Sequence, residues 1–285
     1  MTEARWKLVV DRQGVTIASD RFQFTTNGTR QPDTETDFDE AMAMNSAESS
    51  YMEAVISQLQ TMTRRTYGQF CGLSRALEIV GERWSMLFIR DLLIRPKTFH
   101  ELHDGFPSAA TDILSARLRE LEHGGVVRRV QDTDGETRYT LTEFGRELDD
   151  IVIRLGRWGA RLLGDPRPED VVTSDSVRMA LRTTFRPEAA AGVTVSYQLT
   201  VGDLVVHAKI HDGEIDTGEG PLPGADLVLD PGMALKPMMT GELSAAEAIE
   251  SGDVKFLGDP ALITTFTKLF RIMPMPQADA LSHSV

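Results

Sequence analysis

The stretch ILSARLRELEHGGVVRRV, residues Ile113 to Val130, places a chain stop between two different periodicities. Leu114, Leu118 and Leu121 recur at spacings of four and three, the single apolar stripe of a helix packed on one side. Gly124-Gly125 then predicts a left-handed stop, and VVRRV continues as a strand carrying two arginines. At 100° per residue, Ser108, Asp112, Ser115 and Arg119 fall on the side opposite the leucines. A helix with one clamped face and one polar face, followed at once by a strand, raises the question of what the polar face meets.

Upstream the periodicity stays helical. In LSRALEIVGERWSMLFIRDLL, the residues Leu73, Leu77, Val80, Trp84, Leu87 and Phe88 recur every three or four positions, interrupted near Gly81, so two helices meeting at a bend are expected. RPKTFHELHDGFP predicts a third, with Thr98 as N-cap, Glu101 at the capping-box spacing, and Phe99 and Leu102 facing the core. SAATDILSARLRELEHGG, starting at Ser108, is the fourth. Downstream, VVRRVQD and TRYTLT predict two strands joined by the turn TDGE, and TEFGRELDDIVIRLGRWGARLL predicts one long amphipathic helix.

Length and composition set the surroundings. The chain has 285 residues, and at about 100–200 residues per domain two cores are expected. No apolar run approaches the ~20 residues of a membrane-spanning helix, the first residues lack the apolar block of a secretory signal, and Cys71 is the single cysteine. A cytoplasmic protein without internal disulfides is expected. The net charge of −13 argues against nucleic acid until it is divided along the chain. Residues 1–67 hold 7 basic and 10 acidic side chains, residues 68–163 hold 14 and 15, and residues 164–285 hold 9 and 18. The nearly neutral middle can bind DNA if its arginines share one face.

Helix, helix, helix and a two-stranded ribbon is the element order of a winged helix-turn-helix. The motifs Cys71, ALEIVGERW, FHEL, ILSARLRELE, GGVVRR, YTLTEFG and RWG resemble, in order and spacing, the HxlR-type transcriptional regulators over roughly Cys71 to Gly159. Gly72 and Asp112 depart from that pattern. The resemblance implies that the fourth helix is a recognition helix in the major groove, with Ser108, Thr111, Ser115 and Arg119 facing the bases. The alternative for these residues is an ordinary solvated face. Arg117, nearer the stripe's edge, is expected to hold a carboxylate or a phosphate. Arg128, Arg129 and Arg138 on the ribbon are expected to touch the DNA backbone, although strand alternation lets at most one of Arg128 and Arg129 reach a given phosphate. The terminal helix, with Ile151, Leu155, Trp158 and Leu162, is either the seam of a homodimer or the cap of its own core. Cys71 matches a family cysteine used in redox sensing; an incidental thiol is the other reading.

A second domain is expected after the Pro-rich break GDPRPED. DSVRMALRTTF predicts a helix, GVTVSYQLTVGDLVVHAKIHDGEI two strands, ADLVLD a third, PGMALKPMMTGELSAAEAIESG two short helices, DVKFLGD a strand and PALITTFTKLFRIM a closing helix. These elements predict an α+β domain with helices on one side of an antiparallel sheet. TGEL, SGDVKFLGD and the last helix resemble the sterol-carrier-protein-2-like (SCP2-like) domain over Ser174 to Met273. That resemblance implies a small apolar, lipid-like ligand, with Met233, Met238, Met239, Phe256, Phe266 and Phe270 as its wall. A plain packed core is the alternative.

The domains expected are thus residues 1–67, an extension; 68–163, the winged helix; 174–273, the SCP2-like domain; and 274–285, a flexible tail. The extension begins with a hairpin from WKLVV and VTIASDRFQF and continues into the polar stretch RQPDTETDFDEAMAMNSAESS. It reads either as a partly disordered arm or as residues upstream of a true start at Met52 or Met62. No metal, cofactor or catalytic constellation is expected: HELH places His100 and His103 without the i, i+4 geometry of a zinc helix, and His207 and His211 share a strand face without a nucleophile. The function expected is a dimeric, sequence-specific regulator of transcription bound to double-stranded DNA, modulated by an apolar effector. Two rivals remain. One is a lipid carrier or scaffold whose winged helix serves protein interaction; in the other, the second domain is only a filled dimerisation body.

Overall fold

The computed structural model describes residues 66–164, 167 and 169–274, together with the backbone of three strands near the start of the chain. Those strands, β1 (Lys7–Asp11), β2 (Gly14–Ala18) and β3 (Gln23–Thr25), form an antiparallel sheet of their own in the order β1-β2-β3. Asp11 pairs with Gly14, so the first two form the expected hairpin across a two-residue loop, and VTIASDRFQF divides into two strands. The polar stretch 30–50, Met52, Met62 and the tail from residue 275 lie outside the described residues.

The region from Arg75 onward is one compact unit. It begins within α1 (Gly72–Val80) and continues with α2 (Ser85–Ile94), entered through Trp84 at a left-handed φ of 80°. That single residue makes the bend expected near Gly81. Leu73, Leu77 and Leu87, expected on the core stripe, are exposed instead: α1 buries only Ser74, and α2 turns Phe88, Ile89 and Leu92 inward rather than Leu87. The two-residue strand β4 (Lys97–Thr98) then leads into α3 (Phe99–Gly105), whose capping box between Thr98 and Glu101 is present in both directions.

A turn in which the Ala109 N–H donates to the Phe106 carbonyl connects α3 to α4 (Thr111–His123). Here the sequence expectation is corrected: α4 starts three residues after Ser108, because buried Ala109 anchors the turn and Ala110 takes the N-cap position. Leu114, Leu118 and Leu121 are all fully buried, as their spacing requires. The glycine pair divides its work. Gly125 takes the left-handed φ of 72°, while a Cβ on Gly124 would stand 2.7 Å from the Ile79 side chain.

The ribbon follows as β5 (Val127–Gln131) and β6 (Thr137–Leu141), paired from Val127↔Leu141 to Gln131↔Thr137. β6 also pairs with β4, giving a three-stranded sheet in the order β4-β6-β5. The long terminal helix is corrected to two, α5 (Glu143–Arg146) and α6 (Asp149–Ala160). A Cβ on Gly145 would lie 2.1 Å from the Val126 carbonyl oxygen, so α5 is tied tightly under the ribbon.

The remaining elements are α7 (Ser174–Thr184), β7 (Thr194–Val201), β8 (Leu204–His211), β9 (Glu214–Glu219), β10 (Leu227–Asp230), α8 (Leu235–Thr240), α9 (Ala245–Glu250), β11 (Lys255–Gly258) and α10 (Ala261–Leu269). They build a five-stranded sheet in the order β11-β10-β7-β8-β9. The expectation of an antiparallel sheet is corrected, because β10 runs parallel to β7 while the other pairs are antiparallel. From the edge strand β9 the chain crosses the sheet, with the Gly220 N–H bonded to Val205 O, Leu222 N–H to Gln198 Oε1 and Ser196 N–H to Asp226 Oδ2. It therefore joins β7 from the far side in the same direction. β9 itself was not expected; its hairpin turns on Asp212 and Gly213, both at positive φ.

Two apolar cores result. One joins Phe88, Leu92, Leu102, Phe106, the α4 leucines and the ribbon; the other joins the sheet to α7, α8, α9 and α10. α7 serves both, with Met179 in the first core and Val177 and Leu181 in the second.

Candidate nucleic-acid interface

Burial of the leucine stripe at about 1.5–3 kcal/mol per side chain fixes the roll of α4 about its axis. Its other face is thereby turned outward. Thr111, Asp112 and Arg119 are exposed and Ser115 is half-buried. Ser108 is exposed too, but it stands in the turn ahead of the helix rather than on its face. Asp112 lies in the first helical turn, where a carboxylate complements the positive end of the helix dipole.

The arginines divide into free and engaged groups. Arg119 donates from Nε to the Ser115 carbonyl at 3.2 Å and has no ion pair among the described residues. Arg128 is exposed and likewise has no ion pair among the described residues. Arg117 holds carboxylates, pairing with Glu120 and reaching Glu82 at 3.8 Å. Arg129 bonds Glu122 at 2.9 Å, and this pairing raises its pKa.

Arg138 is the largest departure. Its guanidinium meets Asp132 at 2.7 Å, Asp134 at 2.8 Å, Glu136 at 3.3 Å and Glu101 at 3.4 Å. Four carboxylates thus surround the charge expected to meet the DNA backbone. Glu101 is the hub on the other side. Burial pushes its carboxyl up, but the Thr98 N–H and the guanidinium groups of Arg95 and Arg138 outweigh that and hold it below the ordinary glutamate value. The sequence marked Glu101 only as a cap; its partner Arg138 is 37 residues away, beyond the reach of any local pattern.

The outer face of α6 carries Ile151, Leu155 and Trp158, all exposed, Trp158 by 61%. Only Val152 of that helix is buried in its own core, with Ile153 packed beside it. Leu162, also exposed, lies just past the helix end. Cys71 is an exposed free thiol immediately before α1, and backbone hydrogen bonds from Ser74 and Leu73 lower its pKa.

The six residues expected to wall a ligand site do not share one surface. Met238, Met239, Phe266 and Phe270 are buried in the second core, where the Phe266 and Phe270 ring centroids lie 4.6 Å apart. Met233 is 75% exposed and Phe256 lies on the exposed edge strand β11. An open cleft of about 500 Å³ occurs elsewhere, lined in part by Ile153, Arg157, Arg182, Phe185 and Ile215.

Three helices, a ribbon sheet and a polar-faced α4 define a winged helix-turn-helix domain. Residues 79–166 match the model of the HxlR-like helix-turn-helix family, and the chain belongs to that family. It is 31% identical over 93 residues to the uncharacterized HTH-type transcriptional regulator YdeP of Bacillus subtilis, covering 32% of this chain and 73% of that protein. Against YybR of the same organism the identity is 33% over 91 residues, covering 31% and 73%. Among solved structures it is similar to the redox regulator HypR in its reduced form, at 32% identity and a TM-score of 0.29, over 31% of this chain and 90% of that one.

Proposed function

We infer that this protein is a sequence-specific DNA-binding regulator of transcription that acts in the cytoplasm as a homodimer. One observation carries this reading: the leucines of α4 are clamped while Thr111, Ser115 and Arg119 face outward. A helix so presented fits a major groove, where arginine recognises guanine through two hydrogen bonds. Thr111, Ser115 and Arg119 are assigned to the bases, and Ser108 and Arg128 to the phosphates flanking them. The exposed stripe of Ile151, Leu155 and Trp158 supports pairing of two copies, which doubles the footprint on a pseudo-palindrome. Cys71, with its lowered pKa, is assigned an oxidant-sensing role, read as an intersubunit crosslink on a non-reducing gel after peroxide treatment.

Residues 174–273, which resemble the SCP2-like domain, are assigned to effector recognition. An apolar effector regulates only by binding one arrangement of the dimer more tightly than another. The close packing of Phe266 on Phe270 favours a second reading, in which this domain is a filled body serving assembly alone. Native mass spectrometry of protein extracted without detergent decides between them: a retained lipid-like mass supports the effector domain, and a bare protein mass supports the filled body. Selection of genomic fragments by the purified protein tests the main reading. Enrichment of a shared operator supports it, and binding without sequence preference contradicts it.

A further inference from the structure

Lys97 is 4% exposed, and a buried ammonium persists only where carboxylates compensate it. Its Nζ lies 3.1 Å from Asp91 Oδ2 and 2.6 Å from Asp175 Oδ2. Asp91 also takes Arg90, at 2.7 Å. Asp175 comes from α7, outside the residues that match the helix-turn-helix family, and it too is buried. It additionally faces Arg178 at 3.1 Å and Arg95 at 3.8 Å. A charge inside the winged helix is thus balanced by the domain that follows it.

The alternation of sign continues toward the wing. Arg95 reaches Glu101 at 2.7 Å, Glu101 reaches Arg138 at 3.4 Å, and Arg138 holds Asp132 and Asp134 in the ribbon turn. The backbone follows the same path, since Lys97 and Thr98 pair with Tyr139 and Arg138. We propose that Asp175 is a positioning residue of the DNA interface: through Lys97, Arg95 and Glu101 it fixes Arg138, and with it the ribbon, against α3 and α4. This rests on the reading of the winged helix as the DNA-binding part. It adds that the interface is completed by a carboxylate from the C-terminal region, which gives that region a hold on the wing without any contact to DNA.

Asp175→Asn in the full chain tests this, because it keeps the side-chain shape, the Thr173–Ser176 capping box and the Met179 packing while removing the charge. Hydrogen exchange followed by mass spectrometry should show the β5 and β6 amides exchanging about tenfold faster, with the β7 and β8 amides unchanged. Operator affinity should fall by a similar factor. Glu101→Gln should reproduce the ribbon effect, and the double variant should exceed neither single one, as members of one network require. Should Asp175→Asn fail to fold, the triple variant Asp91→Leu, Lys97→Met and Asp175→Leu replaces all three buried ions by apolar contact. That triple variant should restore stability yet leave the ribbon loosened.

Unchanged ribbon exchange in a folded variant overturns the proposal. So does an equal rise in the β7 and β8 amides, which marks general destabilisation, and so does strict additivity of Asp175→Asn with Glu101→Gln. The exchange measurement needs no DNA. A wild-type protein that selects no operator therefore defeats the DNA reading while exchange still decides the relay.

Discussion

Arg119 on α4 and Arg138 on β6 are the same residue type on neighbouring elements of one domain. Arg119 meets a backbone carbonyl, whereas Arg138 meets four carboxylates. The number of arginines therefore says little about where a nearly neutral domain can receive a phosphate or a base edge. What matters is which guanidinium groups already have counter-charges. On α4 the positive charge is available, and in the ribbon it is used to hold the turn in place. The acidic turn of Asp132, Asp134 and Glu136 also makes the tip of the ribbon an unfavourable partner for a phosphate backbone, which favours the proposal that α4 and Arg128 supply the contacts.

The largest effect is expected from releasing α4 itself. Leu118→Ala removes a fully buried side chain and should cost about 2–5 kcal/mol in chemical denaturation. DNA binding should be lost in proportion to the unfolded fraction. A loss below ~1 kcal/mol would mean that the stripe does not clamp the helix. Arg138→Ala sharpens the contrast from the ribbon side. It leaves carboxylates facing one another and should lower the thermal unfolding midpoint, with the salt dependence of DNA binding unaltered. A salt slope reduced by about one charge would return Arg138 to the phosphates.

Arg128→Ala should do what Arg138→Ala does not: lower the slope of log Kobs against log[salt] by about one, with equal loss on operator and random DNA. The smallest effect expected concerns pH. Glu101 has a folded pKa below its unfolded value of about 4.3. Its contribution to stability is therefore fully present above that value and is lost as pH falls through the lower folded one. Unfolding midpoints of wild type and Glu101→Gln should differ at pH 7 and converge toward pH 3. A constant difference across that range would mean that the Glu101 charge is not what the ribbon depends on.

The sequence made local features legible where one element contained its own explanation. The Thr98–Glu101 capping box, the leucine stripe and the stop at Gly125 are all written within a few residues. What it hid was set by partners far away. GluIleAspThrGlyGlu in β9 has weak strand propensity, and its place comes from pairing with β8. The parallel register of Leu227 with Tyr197 depends on a crossing loop that no single strand announces. In the candidate site, Ser115 and Arg119 followed from helical geometry and Thr111 from the family resemblance, but the cage around Arg138 and the bond from Asp175 to Lys97 required the fold. The same holds for the apolar wall. Met233 and Phe256 share a residue class with Met238 and Phe266, yet two lie at the surface and two in the core.

The proposed reading of DNA turns on the outward face of α4. Fluorescence anisotropy of wild type and Arg119→Ala, titrated on a selected operator and on random DNA at one salt concentration, tests it most directly. The expected result is a loss of about 1–3 kcal/mol on the operator, a smaller loss on random DNA, and an unchanged thermal midpoint. Equal affinity of the two proteins for the operator, with the fold intact, would contradict it.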